Sequence, residues 1–342
     1  MNVPQGYHFI GLDIHKNTIA FCEKDVTGKT VAHGTLAARK SILEEFALSR
    51  TAPYIAGMEA TLFSGWVYDV LAPHTLELHV GHPVRLKALS KNKNDRIDAE
   101  LMANLLRADL FPSCYMASPE VRELRRALRY RNFLVCEATR MKNKAAGLLM
   151  ETGVEYVKSK LHRKAYFSEL LDNLEEVPDS VRNLLLMTRS NIELFSCAQR
   201  KLLDALARHA TLRDRIDLLM TVCGVGVVTA LTWALEIDDP HRFSCIKAMQ
   251  SYCGLCSAQH ESGGKERRAP LSKERNPHLQ TVLIEAAKLA PRWNPQLAKV
   301  HADALERGYN RNRATLAVAR KMAAYLLSVD KSGKPFEIPK AG

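Results

Sequence analysis

The sequence predicts an α/β domain built on a mixed sheet, followed by an all-α remainder. Short apolar runs of strand length crowd residues 7–80, and helical stretches alternate with them only after the third run. From about residue 96 onward strand signals stop and helical spacing takes over. Three strands first, then alternating helices and strands, describe a mixed sheet rather than a wholly parallel one.

Each element has its own signal. Tyr7-His8-Phe9-Ile10-Gly11-Leu12 is an apolar run closed by Asp13. Thr18-Ile19-Ala20-Phe21-Cys22 follows, with Thr27-Gly28 marking the turn into a third strand that ends near residue 35. A helix near 40–49 leads to Tyr54-Ile55-Ala56-Gly57-Met58, closed by Glu59. A helix near 64–72 leads to Leu76-Glu77-Leu78-His79-Val80. The RNase H-like fold has this order. Residues 119–150 read as helix, with Arg122, Arg125, Arg126 and Arg129 spaced as one basic stripe. Between 181 and 206 the spacing becomes heptad-like: Val181, Leu185, Ile192, Phe195, Leu202 and Leu206 fall on a/d positions, with Thr188 and Gln199 interrupting the seam. A helical arm or a dimerisation hairpin fits this, and so does a short core helix pair. Gly224-Val225-Gly226 joins two helices in the manner of a helix-hairpin-helix, whose amides hold phosphate, although a plain tight turn fits equally. Residues 241–328 read as mostly helical around a polar loop at 257–276. The boundaries expected are 1–115 for the mixed-sheet domain, 116–212 for a coiled-coil arm and 213–342 for the C-terminal domain.

Composition narrows the function classes. The 342 residues, 46% hydrophobic and 25% charged, are ordinary for a globular protein with two or three domains. No apolar run approaches the roughly 20 residues that span a bilayer, and no signal core follows the N-terminus. Eight scattered cysteines suit a reducing cytoplasm better than a disulfide framework. Net charge of +12 favours a polyanionic partner: DNA, RNA or an anionic membrane surface satisfy charge alone, and nucleic acid is the usual one.

Four acids stand out against that positive charge. Asp13 and Glu59 each end an apolar strand, while Asp95 and Asp98 share one face of a helix start. Carboxylates alone select magnesium or manganese, because hard cations prefer oxygen. Two such ions can activate an attacking oxygen and stabilise the leaving one in phosphodiester transfer. Taken singly, each acid also fits a helix cap or surface charge. The segment His260-Glu261-Ser262-Gly263-Gly264-Lys265-Glu266-Arg267-Arg268 is the second informative stretch. Its serine is accessible beside two glycines, and the basic residues could hold a phosphate; a flexible basic loop has the same composition. Cys253-Gly254-Leu255-Cys256 with His260 looks like part of a zinc site, but a lone CxxC is a weak signal.

Gly11-Leu12-Asp13-Ile14-His15-Lys16, Met58-Glu59-Ala60-Thr61 and Asn92-Lys93-Asn94-Asp95-Arg96-Ile97-Asp98-Ala99 resemble the DEDD transposases of the IS110 insertion-sequence family. Gly224-Val225-Gly226, Asp239-Pro240-His241-Arg242-Phe243, Gly254-Leu255, Glu261-Ser262-Gly263 and Ser272-Lys273 resemble that family's C-terminal pattern, in order, so the likeness runs from about residue 7 to 328. The resemblance implies a RuvC-like N-terminal domain, Mg2+ (or Mn2+) held by Asp13, Glu59, Asp95 and Asp98, and a serine nucleophile at Ser262. It further implies a tetramer that cuts, exchanges and rejoins donor and target DNA through a covalent phosphoserine, guided by a noncoding bridge RNA, in a prokaryotic cytoplasm close to the nucleoid. In family members the acids and the serine that work together come from different subunits. Lys16, Arg96, Arg122, Arg125, Arg126, Arg129, Lys265, Arg267, Arg268 and Lys273 are then candidates for nucleic-acid phosphates, with solvated surface an equal alternative. His15 and His260 lie near proposed active residues, where a histidine is more often simply solvated. Two competitors stay open: a RuvC-like junction resolvase using metal-activated water, and a nucleic-acid-binding protein that has lost catalysis.

Overall fold

The computed structural model describes residues 6–89, 94–173, 177–262 and 265–337, without the side chains of 258–262 and 265–270. The chain divides into two compact units, Met1–Arg122 and Glu123–Gly342.

The first unit runs β1 (His8–Ile14), β2 (Thr18–Lys24), β3 (Thr30–Ala37), α1 (Lys40–Leu48), β4 (Tyr54–Glu59), α2 (Ser64–Leu71), β5 (Glu77–Gly81), α3 (Pro83–Leu89), α4 (Asp95–Arg107) and β6 (Ser113–Cys114). Its six strands form one sheet in the order β3-β2-β1-β4-β5-β6. The first three are antiparallel, β1, β4 and β5 are parallel, and β6 closes the edge antiparallel. This is the RNase H-like mixed sheet that the order of the apolar runs predicts. One sheet face carries Ile10, Leu12, Ile14, Ile19, Ala56 and Met58 against Leu43, Phe46, Val67 and Leu71 of α1 and α2. The other face receives α4.

A single position controls how closely α4 sits. A Cβ at Gly11 would lie 2.0 Å from the carbonyl oxygen of Ala99 and 2.6 Å from the amide nitrogen of Ala103. The α4 backbone thus rests on the β1 backbone where only hydrogen fits. Lys24, buried on β2, pins the same helix through its ammonium, 2.8 Å from Glu100 Oε1. Asn94 caps the start, its Oδ1 accepting from the Arg96 N–H at 3.0 Å.

In the second unit α5 (Pro119–Glu151, which begins just before the division), α6 (Lys164–Asp172) and α7 (Asp179–Ala207) pack a small core of Ala145, Leu149, Leu161, Phe167 and Leu185. On α7 three of the six heptad positions, Leu185, Ile192 and Leu206, are buried, and Val181, Phe195 and Leu202 are half-buried. Thr188 is buried with them and satisfies its hydroxyl on the Leu184 carbonyl at 2.6 Å, so it does not break the seam.

The chain continues as α8 (Arg213–Met220), α9 (Val227–Ile237), α10 (Ile246–Tyr252), β7 (Ser257–Ser262), β8 (Lys265–Leu271), α11 (Pro277–Leu289), α12 (Pro295–Glu306) and α13 (Arg311–Ser332). Every residue of α9 from Thr229 onward is buried, which makes it the central helix of the unit. The turn entering it holds Gly224 at φ +94°, and a Cβ there would meet Ala290 at 2.5 Å. Both facts demand glycine and give that residue a packing role. Two expectations need correction. Strands do recur after residue 96, as β6 and as the β7–β8 hairpin, and the hairpin occupies most of the expected polar loop. Polar residues at nearly every hairpin position erase the alternation that marks a half-buried strand.

Gly11→Ala should lower the stability of the first unit by about 1–3 kcal/mol, the usual cost of overpacking. Gly147→Ala on α5, where a Cβ meets nothing within 4 Å, should be neutral or stabilising. Urea denaturation midpoints of the two variants check this.

Candidate active site

The sheet and α4 bring Asp13 and Asp95 together, with Asp98 close enough to act on Asp13, while Glu59 lies on the neighbouring strand outside that donor group. Asp13 lies on β1 one residue beyond the Leu12–Met58 pair, and Glu59 follows Met58 on the adjacent parallel strand. Asp95 and Asp98 occupy the first turn of α4, whose close seat on Gly11 delivers them to the same end of β1. Negative side chains also suit that helix end, where free N–H groups concentrate positive charge. Asp13 is buried, Glu59 and Asp98 are half-buried, and Asp95 is exposed.

A fifth residue joins them. His15 Nε2 stands 3.2 Å from Asp13 Oδ2 and 3.4 Å from Asp95 Oδ1. Donor atoms of Asp13, His15 and Asp95 all lie within 4.8 Å of one another, a group that could hold a metal ion. In the sequence His15 reads as a solvated histidine beside the proposed active residues, although its place two residues after Asp13 at the β1–β2 turn is a usable signal. Burial pushes the Asp13 carboxyl above its ordinary range; the negative charges of Asp95 and Asp98 push the same way, while His15 opposes. Crowded, partly desolvated carboxylates of this kind fit a divalent cation, which would relieve their repulsion.

Ser262 is the last residue of β7 and pairs with Lys265 across Gly263 and Gly264, which lie outside the described residues. Side chains of Ser262, Lys265, Arg267, Arg268 and His260 also lie outside them. The base of the hairpin is firmly tied: Gln280 donates to the Gly254 carbonyl at 2.6 Å and Arg320 to the Leu255 carbonyl at 2.7 Å. The Ser272 hydroxyl accepts from the Glu274 N–H at 3.1 Å, a local turn contact. Cys253 is fully buried with its thiol pushed by desolvation up to about 12, which suits packing rather than metal ligation. Among the described residues, the acid–histidine group is the only potential metal cluster.

The basic stripe divides. Arg122 pairs with Asp69 in the first unit. In the second, Arg125 donates twice to the Leu235 carbonyl, at 3.0 and 2.7 Å. Arg129 makes a two-pronged bond with the fully buried Glu236, 2.9 Å on each oxygen. Asn276 adds a bond to Glu236 Oε2 at 2.8 Å. These arginines cap the buried C-terminus of α9, whose last carbonyls have no helical partners. Tyr252 reaches the Glu236 carbonyl and Arg242 the Ile237 carbonyl at 3.0 Å, which gives Asp239-Pro240-His241-Arg242-Phe243 a structural purpose. Arg126, Lys16, Arg96 and Lys273 are exposed.

Residues 10–154 match the sequence pattern of the IS110 DEDD transposases, described as "Transposase", and residues 216–302 match "Transposase IS116/IS110/IS902 family". The chain belongs to that family. It is 26% identical to the transposase for insertion sequence element IS1111A of Coxiella burnetii, over 92% of this chain and 87% of that one. It is also 26% identical to the transposase for insertion sequence element IS1328 of Yersinia enterocolitica, covering 96% and 98% respectively. A pilin gene-inverting protein of Moraxella lacunata is 22% identical, covering 96% and 97%. The two matched patterns cover both segments that carry the family resemblance, and among the described residues no helix is long and apolar enough to cross a membrane.

Glu236→Ala should cost this family member about 3 kcal/mol, because it leaves two arginines and an amide without their buried partner. Burial raises the Glu236 carboxyl, but the Arg129 hydrogen bonds and charge, then Asn276 and Arg125, outweigh it and hold it below its ordinary 4.5. Its stabilisation is therefore complete above 4.5 and is lost as pH falls through the lower folded value. Acid unfolding followed by circular dichroism should show that slope in the native protein and not in Glu236→Gln. Asp13 has the opposite sign: its raised carboxyl disfavours the folded state once ionised. Asp13→Asn should raise the melting temperature of the metal-free protein at neutral pH, measured by calorimetry in a chelator.

Proposed function

We propose that the protein is a DNA recombinase of an insertion sequence, cutting, exchanging and rejoining donor and target strands through a phosphoserine at Ser262. The reading rests foremost on the convergence of Asp13 and Asp95, with Asp98 near enough to act on Asp13, at one end of an RNase H-like sheet in a member of this family. In the first step the Ser262 hydroxyl oxygen attacks a DNA phosphorus. A serine–phosphate ester forms, the bridging phosphorus–oxygen bond breaks, and the serine proton passes to the departing strand oxygen. Attack by another strand's hydroxyl on the ester rejoins DNA and restores the serine. Nothing is hydrolysed, so the bond energy is conserved.

A free serine hydroxyl is a weak nucleophile and needs help to lose its proton. A divalent cation, Mg2+ or Mn2+, held by Asp13, Glu59, Asp95 and Asp98 would neutralise charge on the phosphate. Lys16, Arg96, Arg126, Lys265, Arg267, Arg268 and Lys273 are the residues we assign to nucleic-acid phosphates. Arg122, Arg125 and Arg129 stay in that set with part of each guanidinium already engaged within the protein. We further propose a noncoding bridge RNA as guide, a dimer-to-tetramer as the working form, and three functional parts at 1–115, 116–212 and 213–342.

With element-end DNA and the RNA encoded beside the element, native protein should give a covalent adduct on a denaturing gel. Ser262→Ala, Asp13→Ala and Glu59→Ala should each lose it. Magnesium-dependent cutting that survives Ser262→Ala without any adduct would instead identify a nuclease that uses activated water.

A further inference from the structure

We propose that the His15 imidazole is a nitrogen ligand to the cation held by Asp13 and Asp95, and that it strengthens the binding of manganese beyond what the carboxylates alone provide. The inference rests on the metal site of the proposed function and adds a donor that the four acids do not include.

Three observations carry it. His15 is fixed by the backbone: it follows β1 directly, and its N–H donates to the Thr18 carbonyl at 2.8 Å, closing the β1–β2 turn. Its Nε2 lies 3.2 Å from one carboxylate oxygen and 3.4 Å from the other. Adjacent ligand atoms around an octahedral ion with bonds of about 2.1 Å stand about 3 Å apart, so these gaps are close to the edges of such a shell. Finally, the His15 ring is about half exposed, at 49%, so a hydrated ion can reach it and water or a phosphate oxygen can complete the shell.

The donor set tunes the choice of ion. Magnesium keeps oxygen ligands and tolerates imidazole poorly, whereas manganese accepts carboxylate and imidazole together. Binding through Nε2 leaves the ring proton on Nδ1, so the neutral imidazole coordinates without adding charge. An Asp–x–His pair at a strand end and an Asp at a helix start then form a mixed nitrogen–oxygen face. Carboxylates alone already accept Mn2+, and the imidazole adds a donor that Mg2+ uses poorly, which widens the gap.

The test uses the purified full-length protein with Mn2+ and no nucleic acid. Electron spin-echo envelope modulation of the bound Mn2+ should show coupling to one imidazole nitrogen, absent in His15→Ala and His15→Gln. By competition titration, the preference for Mn2+ over Mg2+ should be larger in the native protein than in His15→Ala; an unchanged ratio would overturn the His15 assignment. His15→Ala should lose at least about tenfold in Mn2+ affinity, as even outer contacts to a metal site are worth that much. Mn2+ bound in an Asp13-dependent manner but without nitrogen coupling would overturn the His15 assignment and leave the acidic site standing. Mn2+ binding that is indifferent to Asp13→Asn would overturn both.

Discussion

The contact between the α4 backbone and the bare Cα of Gly11 sets where Asp95 and Asp98 stand relative to Asp13, because both ride on the first turn of α4. Any side chain at that position would collide with a peptide carbonyl, which, unlike a flexible side chain, cannot move aside alone. The helix would lift, and Asp95 and Asp98 would move with it. The Lys24–Glu100 pair acts in the same direction, tying the second turn of α4 to β2. Glu100 is drawn below its ordinary range by its bond to that ammonium, which confirms the sense of the attraction. Sheet, glycine and ion pair together hold like charges nearer than they would settle in water.

The second unit is organised by a different need. The α9 helix is buried along its length, so the carbonyls at its C-terminus cannot turn to solvent. Side chains from Arg125 on α5, Tyr252 on α10 and Arg242 after α9 supply the missing donors. Glu236 offsets the positive charge that this solution imports, and Arg129 and Asn276 close the network around it. Arginine suits the task because its planar fork can serve one carbonyl or both oxygens of a carboxylate at once. Cation–π stacking of Arg242 on Phe243 and Tyr252, at 4.3 and 4.5 Å, keeps that guanidinium in place.

How much of this was legible depended on whether the signal was local. The positions of Asp13 and Glu59 on β1 and β4 were legible because each closes an apolar run, and those of Asp95 and Asp98 because a helix start follows. The sheet order came from the same runs. His15 reads as solvated since one histidine after a strand looks like any turn residue; only the fold brings Asp95 to it. Helical spacing correctly put Arg122, Arg125 and Arg129 near one face of α5. Spacing could not tell whether that face meets phosphate or a buried carboxylate, since Glu236 lies 107 residues from Arg129. The β7–β8 hairpin escaped for a related reason. Its register comes from backbone pairing, and its sequence, Ser257-Ala258-Gln259-His260-Glu261-Ser262, has no apolar face to announce it.

The acidic site and the helix cap use buried charge in opposite ways. At Glu236 the carboxylate is surrounded by donors, its proton is released easily, and the ionised form stabilises the fold. At Asp13 the nearby charges include two more acids, and desolvation first and those acids second push its carboxyl up, against the pull of His15. A protein could relax such a site by letting one acid swing into water, and α4 is the element that would have to move. Because Gly11 and Lys24 keep α4 seated, the repulsion is retained, and a cation bound there would relieve it. The rigidity of one helix thus converts a local instability into a binding site, and a chain with net charge +12 tolerates a negative pocket where its chemistry requires one.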